Sequence, residues 1–223
     1  LPLAILLARH RLRSDQVSEE SKGPFKGFTA GYTTVFSNLP ATLLVFSQGV
    51  IGFGYFGWLT YLGAHVEIDF GGTGKVLSLI FIVAGAGELL ANNLVPFALR
   101  RWSSSRIFLI SAIGFAIGLA SSGIGTDMIW VVFFATTLIS GFSAAQYVVL
   151  SILLLDSIPH ARGAVMSLAN AAMGIGGAIG VAVAGFVLGD SNNYAGAFRS
   201  LIFALPLAVI AVFVATRRIT ATQ

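Results

Sequence analysis

Six long apolar runs, separated by short polar stretches, set the pattern of this chain. They read as Leu39 to Gly63, Val76 to Leu99, Ile107 to about Gly125, Met128 to about Leu150, Gly163 to Leu188, and about Ala197 to Ala215. A run of about 20 residues, rising 1.5 Å per residue as a helix, covers a hydrocarbon layer of about 30 Å, so each predicts a membrane-crossing helix. Asn38 is placed to cap the first, with Pro40 in its first turn. The connections are short, so neighbouring helices must run antiparallel. Between the first two spans, His65, Glu67, Asp69 and Gly71-Gly72 read as an acidic loop. The expected fold is an all-α membrane protein built on a six-transmembrane-helix bundle.

The segments before and after the six spans read differently. Residues 1–8 are too short to cross a membrane and read as the end of a preceding transmembrane helix. Residues 9–38 are polar and basic and read as a linker. Within it Phe25, Phe28, Tyr32 and Val35 recur at helical spacing, which fits a short helix on the membrane surface; a plain tether fits equally well. Residues 39–218 hold the six-helix unit and 219–223 form a tail. The first residue is not Met and the chain begins inside an apolar run, so a piece of a longer protein is expected.

Composition agrees with the pattern. Hydrophobic residues make up 56%, charged residues 10%, and the mean hydropathy is +0.88; a soluble domain carries about 25% charged residues. The pI of about 9.8 invites a nucleic-acid reading. The basic residues lie between spans, however, not on one folded face, so nucleic acid is not an expected partner. There is no cysteine. Counting Lys and Arg by side puts Arg9, Arg11, Arg13, Lys22, Lys26, Arg100, Arg101, Arg106, Arg162, Arg217 and Arg218 together, against only Lys75 and Arg199. That asymmetry places both termini in the cytoplasm of a multi-pass protein of the plasma or inner membrane. Three spans followed by three spans make two halves of opposite orientation, a 3+3 inverted repeat. Sequence support for it is one spacing: Asp69 and Lys75 are separated like Asp156 and Arg162.

Candidate chemistry is sparse inside the spans. Glu88, near the middle of the second, is the one acidic residue within the runs. A charge at that depth costs at least ~2.5–3.5 kcal/mol, so an intramembrane acid marks a candidate site by default. It shares a face with Phe81, Ala84, Gly85 and Asn92, and Asn92 is placed to hydrogen-bond the carboxyl; the bland alternative is a protonated acid satisfied by a neighbouring helix. In the fourth span Thr136, Ser140, Ser143 and Tyr147 form a stripe on one face, and Gln48, Gly52 and Tyr55 do the same in the first. Such faces either line a wet cavity or hydrogen-bond within the bundle. In the fifth span Ala172, Gly176, Gly180 and Ala184 recur every four residues, a small-residue ridge that admits another helix closely. A shorter version, Gly114, Gly118 and Ser122, lies in the third. No cofactor is expected, and a proton is the candidate coupling ion. His10, His65 and His160 lie outside the spans, no Gly-x-Ser-x-Gly is present, and clustered metal ligands are missing, so an enzyme is not expected.

Asp156-Ser157-Ile158-Pro159-His160-Ala161-Arg162-Gly163, running into Ser167, Asn170, Gly174, Gly176-Gly177, Gly180 and Gly185, resembles a loop and helix of major facilitator superfamily transporters. It is similar to the connection from their tenth to eleventh spans, above all in the drug and sugar efflux branch. The resemblance covers essentially the whole chain and implies the C-terminal half of a twelve-helix fold. It implies that the first and fourth spans line a substrate path, the second and fifth face a missing N-terminal six-helix half, and the third and sixth support from outside. Arg162 and Gly163 then become gating candidates. The family's Gly-x-x-x-Asp-Arg-x-Gly-Arg loop is only partly kept near Arg100, Arg101 and Arg106: Ala98-Leu99 replace the acid and serines the glycine. The leading expectation is a secondary transporter half moving a small neutral or weakly cationic solute by alternating access, as proton-coupled efflux. The alternative is a non-transporting polytopic sensor or assembly module.

Overall fold

In a computed structural model of the chain, residues 24–123, 128–189 and 193–221 are described. The expectations for residues 1–23, for the end of the third span past Gly123 and for residues 222–223 of the tail lie outside them. The described residues form helices without a strand: α1 (Pro24–Ser37), α2 (Leu39–Phe70), α3 (Gly74–Leu99), α4 (Ser104–Ser122), α5 (Ile129–Ser157), α6 (Arg162–Leu188), α7 (Tyr194–Ser200) and α8 (Leu205–Ala221). Short 3-10 turns, Pro159–Ala161 and Leu201–Ala204, precede α6 and α8. Among the described residues six segments are long and apolar enough to cross a membrane, the last running from Tyr194 to Ile219.

The helix ends follow from local chemistry. Asn38 Oδ1 accepts from the Ala41 N–H at 3.1 Å, as expected of the N-cap, and Pro40 sits in the first turn where it lacks no bond. The acidic loop expected after Gly63 is instead about two further turns of α2. His65 Nδ1 lies 2.8 Å from Asp69 Oδ2, one turn on, and the His65 ring packs among Phe70, Tyr194 and Phe198. These contacts carry the helix to Gly71, whose left-handed backbone (φ 59°) ends it. The fourth span likewise continues past Leu150 to Ser157, until Ile158, ahead of Pro159, leaves helical geometry. In the sixth span Pro206 has no N–H to give the Ile202 carbonyl. That carbonyl accepts from Leu205 instead, tightening the turn between α7 and α8.

Helices α2 and α5 form the centre. The main partners of α2 are α6 and α8; those of α5 are α3 and α4; and α2 and α5 meet each other. Exchanging the first three spans for the last three reproduces this pattern, so the packing has the form of the inverted repeat. Trp58, Phe108, Phe115 and Phe198 are its largest wholly buried side chains. Helix α1 docks against the start of α6, with Gly31 facing Ala164 and Val35 fully buried.

Burial is uneven. In the most apolar window of the α3 span 11% of residues are buried, and 17% in the α6 span, against 39–50% in the other four. Leu89, Leu90, Leu94 and Phe97 on α3, with Ile175, Ile179 and Phe186 on α6, are each more than half exposed.

Candidate functional site

Glu88 is aimed by its neighbour in sequence. Gly87 packs against Gly141 of α5, where an added Cβ would come within 3.2 Å of the Thr137 carbonyl. That approach presses α3 onto the bundle and turns Glu88 towards α2, where the Tyr55 hydroxyl donates to its Oε1 at 2.8 Å. The Ser140 hydroxyl of α5 lies beside the Tyr55 oxygen without completing a hydrogen bond. Trp58, one turn along α2, stacks at a tilt on the Tyr55 ring, centroids 6.2 Å apart. Two helices thus meet at the carboxyl, with a hydroxyl of a third beside the phenol. Asn92, expected to hold that carboxyl, is exposed and is not its partner: the phenol from α2 occupies the place. Asn93 caps back onto the Leu89 carbonyl.

The hydroxyl stripe of α5 faces inward. Thr136, Ser140 and Ser143 are buried, and Ser143 donates back to the Ser140 carbonyl at 3.0 Å. The Thr136 and Ser140 hydroxyls have no partner, nor do Gln48 Oε1 and the indole N–H of Trp58. Gln48 itself is buried, its Nε2 3.5 Å from Met173 Sδ of α6. Tyr147, at the end of the stripe, is half-buried and donates to Asn170 Oδ1 of α6 at 3.4 Å. So the stripe is packed within the bundle in this conformation, and its upper members do not line an open groove. A groove of about 340 Å3 does exist between α3, α4 and α5, but its walls are apolar, among them Leu94, Trp102, Ile110 and Phe142.

The described helices therefore offer an intramembrane acid with a phenol partner and a set of buried, unpartnered polar atoms, inside six membrane-length segments. The chain matches the family model described as Major Facilitator Superfamily over residues 44–222. It belongs to the Major Facilitator Superfamily. A comparison with curated proteins returned no match.

Membership makes the chain a membrane transporter protein in the general sense of its family, and the small-residue ridge can be read on that footing. Within this superfamily member the ridge of α6 meets α2 backbone to backbone. A Cβ at Gly176 would collide with the Gly49 carbonyl, and one at Gly180 with the Phe53 carbonyl. Ala172 lies opposite Gly49, and Ala184 is fully buried. Gly52 answers from α2, its space closed by the Met173 carbonyl. The shorter ridge, Gly114 and Gly118 of α4, receives Phe142 and Ile139 of α5, with Ser122 buried beyond them. Arg162 and Gly163 stand exposed at the start of α6, away from the Tyr55–Glu88 pair.

Two polar residues escaped the sequence reading. Gln146, fully buried on α5, has neither amide atom partnered. Its signal was available, since a primary amide within an apolar span needs a partner as much as Gln48 does. Asn170 carried only the resemblance; its contact with Tyr147 depends on how α5 and α6 cross, which spacing along one helix does not encode.

Proposed function

We propose that this chain is the C-terminal six-helix half of a twelve-helix secondary transporter. It carries out proton-coupled efflux of a small neutral or weakly cationic solute, with Glu88 as the coupling carboxyl. The observation that carries the reading is the Tyr55–Glu88 hydrogen bond between α2 and α3. The acid sits near mid-span, is half-buried, and takes its partner from a different helix. Protonating Glu88 removes the charge that the phenol stabilises, so proton binding changes the force holding α2 to α3. Asn92, one turn away and exposed, is a candidate to meet solute or the neutral acid when the pair separates.

The low burial of α3 and α6 supports a second six-helix unit against those faces, because the other four spans are covered to a much larger share by the bundle itself. The buried Thr136, Ser140 and Gln48 support a path closed in this conformation: their unpartnered polar atoms cost free energy that hydration or solute relieves on opening. The candidate lining offers hydroxyls, amides and aromatics around one acid, which suits neutral or cationic solutes better than anions. The Lys and Arg asymmetry supports cytoplasmic termini.

Reconstitution of the complete protein in liposomes tests the reading. Solute movement under an imposed pH gradient is expected. Its absence, in protein that is folded and correctly inserted, favours a sensor or assembly module.

A further inference from the structure

At the arginine-rich end of the bundle, α4 and α8 separate and leave a cleft in two adjoining parts. One part, about 460 Å3, is lined by Ser103, Ser104, Ser105, Thr216 and Arg217 together with Leu153, Phe213 and Ile219. The other, about 210 Å3, is lined by Arg106 with Phe108, Leu109, Val209, Val212 and Phe213, and shares Ser103 and Ser105. The Ser105 and Thr216 hydroxyls, 2.8 Å apart, tie the two helices together at the junction. The Phe213 ring lines both parts and carries the Arg217 guanidinium 4.3 Å from its centroid. Leu109 and Phe213 are about half exposed, so the cleft opens on the outer wall of the bundle.

We propose that this cleft binds an anionic phospholipid, its phosphate held by Arg106 and Arg217 and one acyl chain lying along Phe108, Val209 and Val212. The two ends of the cleft ask for opposite chemistry. Guanidinium groups and hydroxyls at the membrane–water boundary suit a phosphate. A soluble anion would make no use of the apolar channel, and a zwitterionic lipid brings its own cation, which leaves the guanidinium charge uncompensated. The reach also fits: Val209 to Arg217 is about 12 Å of helix, the distance from headgroup to upper acyl chain. A lipid seated beside the Ser105–Thr216 pair, between α4 and α8, would brace the outer wall. The site is independent of the proposed coupling at Glu88.

The test uses the full protein in phosphatidylcholine nanodiscs doped with phosphatidylglycerol, with retained lipid read by native mass spectrometry. Wild type should retain phosphatidylglycerol over phosphatidylcholine. Arg106→Gln with Arg217→Gln should lower phosphatidylglycerol retention about tenfold and leave phosphatidylcholine unchanged, whereas Arg106→Lys with Arg217→Lys should keep most of the preference. Val209→Trp fills the apolar channel with the charges intact and should also expel the lipid, which decides the matter if the glutamine pair misfolds. Unchanged preference in the glutamine pair or in Val209→Trp overturns the proposal. Displacement of the lipid by inorganic phosphate alone also overturns it, making the cleft a free-anion site.

Discussion

Tyr55 and Glu88 lie 33 residues apart on different helices, and the phenol of one donates to the carboxyl of the other at 2.8 Å. The contact exists because Gly87 lets α3 approach α5 at Gly141 closely enough to turn the next residue towards α2. It links the acid to the same helix that is locked, glycine against glycine, to α6. A change in the charge of Glu88 is therefore felt by the helix at the centre of the bundle.

Tyr55→Phe keeps the ring against Trp58 and removes only the donor. A hydrogen bond to a charged group contributes about 1.5–3 kcal/mol, so proton-driven solute accumulation should fall about tenfold. Combined with Glu88→Gln it should add little, because both changes delete one interaction. Initial rates across the four-member cycle measure this; additive losses would mean that the two residues act separately.

The α2–α6 contact has no room for side chains. Gly176→Val should destabilise the folded protein by about 1–3 kcal/mol or more, since backbone rather than a flexible side chain stands in the way. Gly63→Ala, where the nearest atom is Leu77 Cδ2 at 3.7 Å, should be neutral or stabilising by up to about 1 kcal/mol through helix propensity. Thermal unfolding of the two variants in detergent compares them, and equal behaviour would contradict the packing described.

How much of this was readable in the sequence varies by residue. The six spans, the Asn38 cap and the tight face of α6 were legible, because length, capping chemistry and a four-residue period are properties of a single segment. The extension of α2 through His65 was not, because it depends on an aromatic enclosure supplied by Tyr194 and Phe198 from the far end of the chain. The partner of Glu88 was assigned to Asn92 because spacing along one helix exposes only neighbours on that helix. Tyr55 stood among the candidates, yet nothing in the pattern joined it to the acid. The hydroxyl stripe was seen as a face, but whether a face is wet or packed depends on which state the bundle occupies.

With no cysteine in the chain, single-cysteine labelling can follow that state. In the conformation described, Ser143→Cys and Thr136→Cys should be protected from aqueous thiol reagents, and Asn170→Cys should react more readily. Under transport conditions Ser143→Cys should become reactive as the path opens. Protection that never changes would argue that the stripe is structural.

The most direct test of the account is proton movement in the complete transporter, followed by a pH-sensitive dye in weakly buffered liposomes while solute is exchanged. Wild type should move protons with solute. Glu88→Gln, which keeps the size of the side chain and removes its titration, should exchange solute without proton movement and fail to accumulate it, with Glu88→Asp partly active. Full proton-coupled accumulation in Glu88→Gln would contradict the account and leave Glu88 a packing residue held by Tyr55.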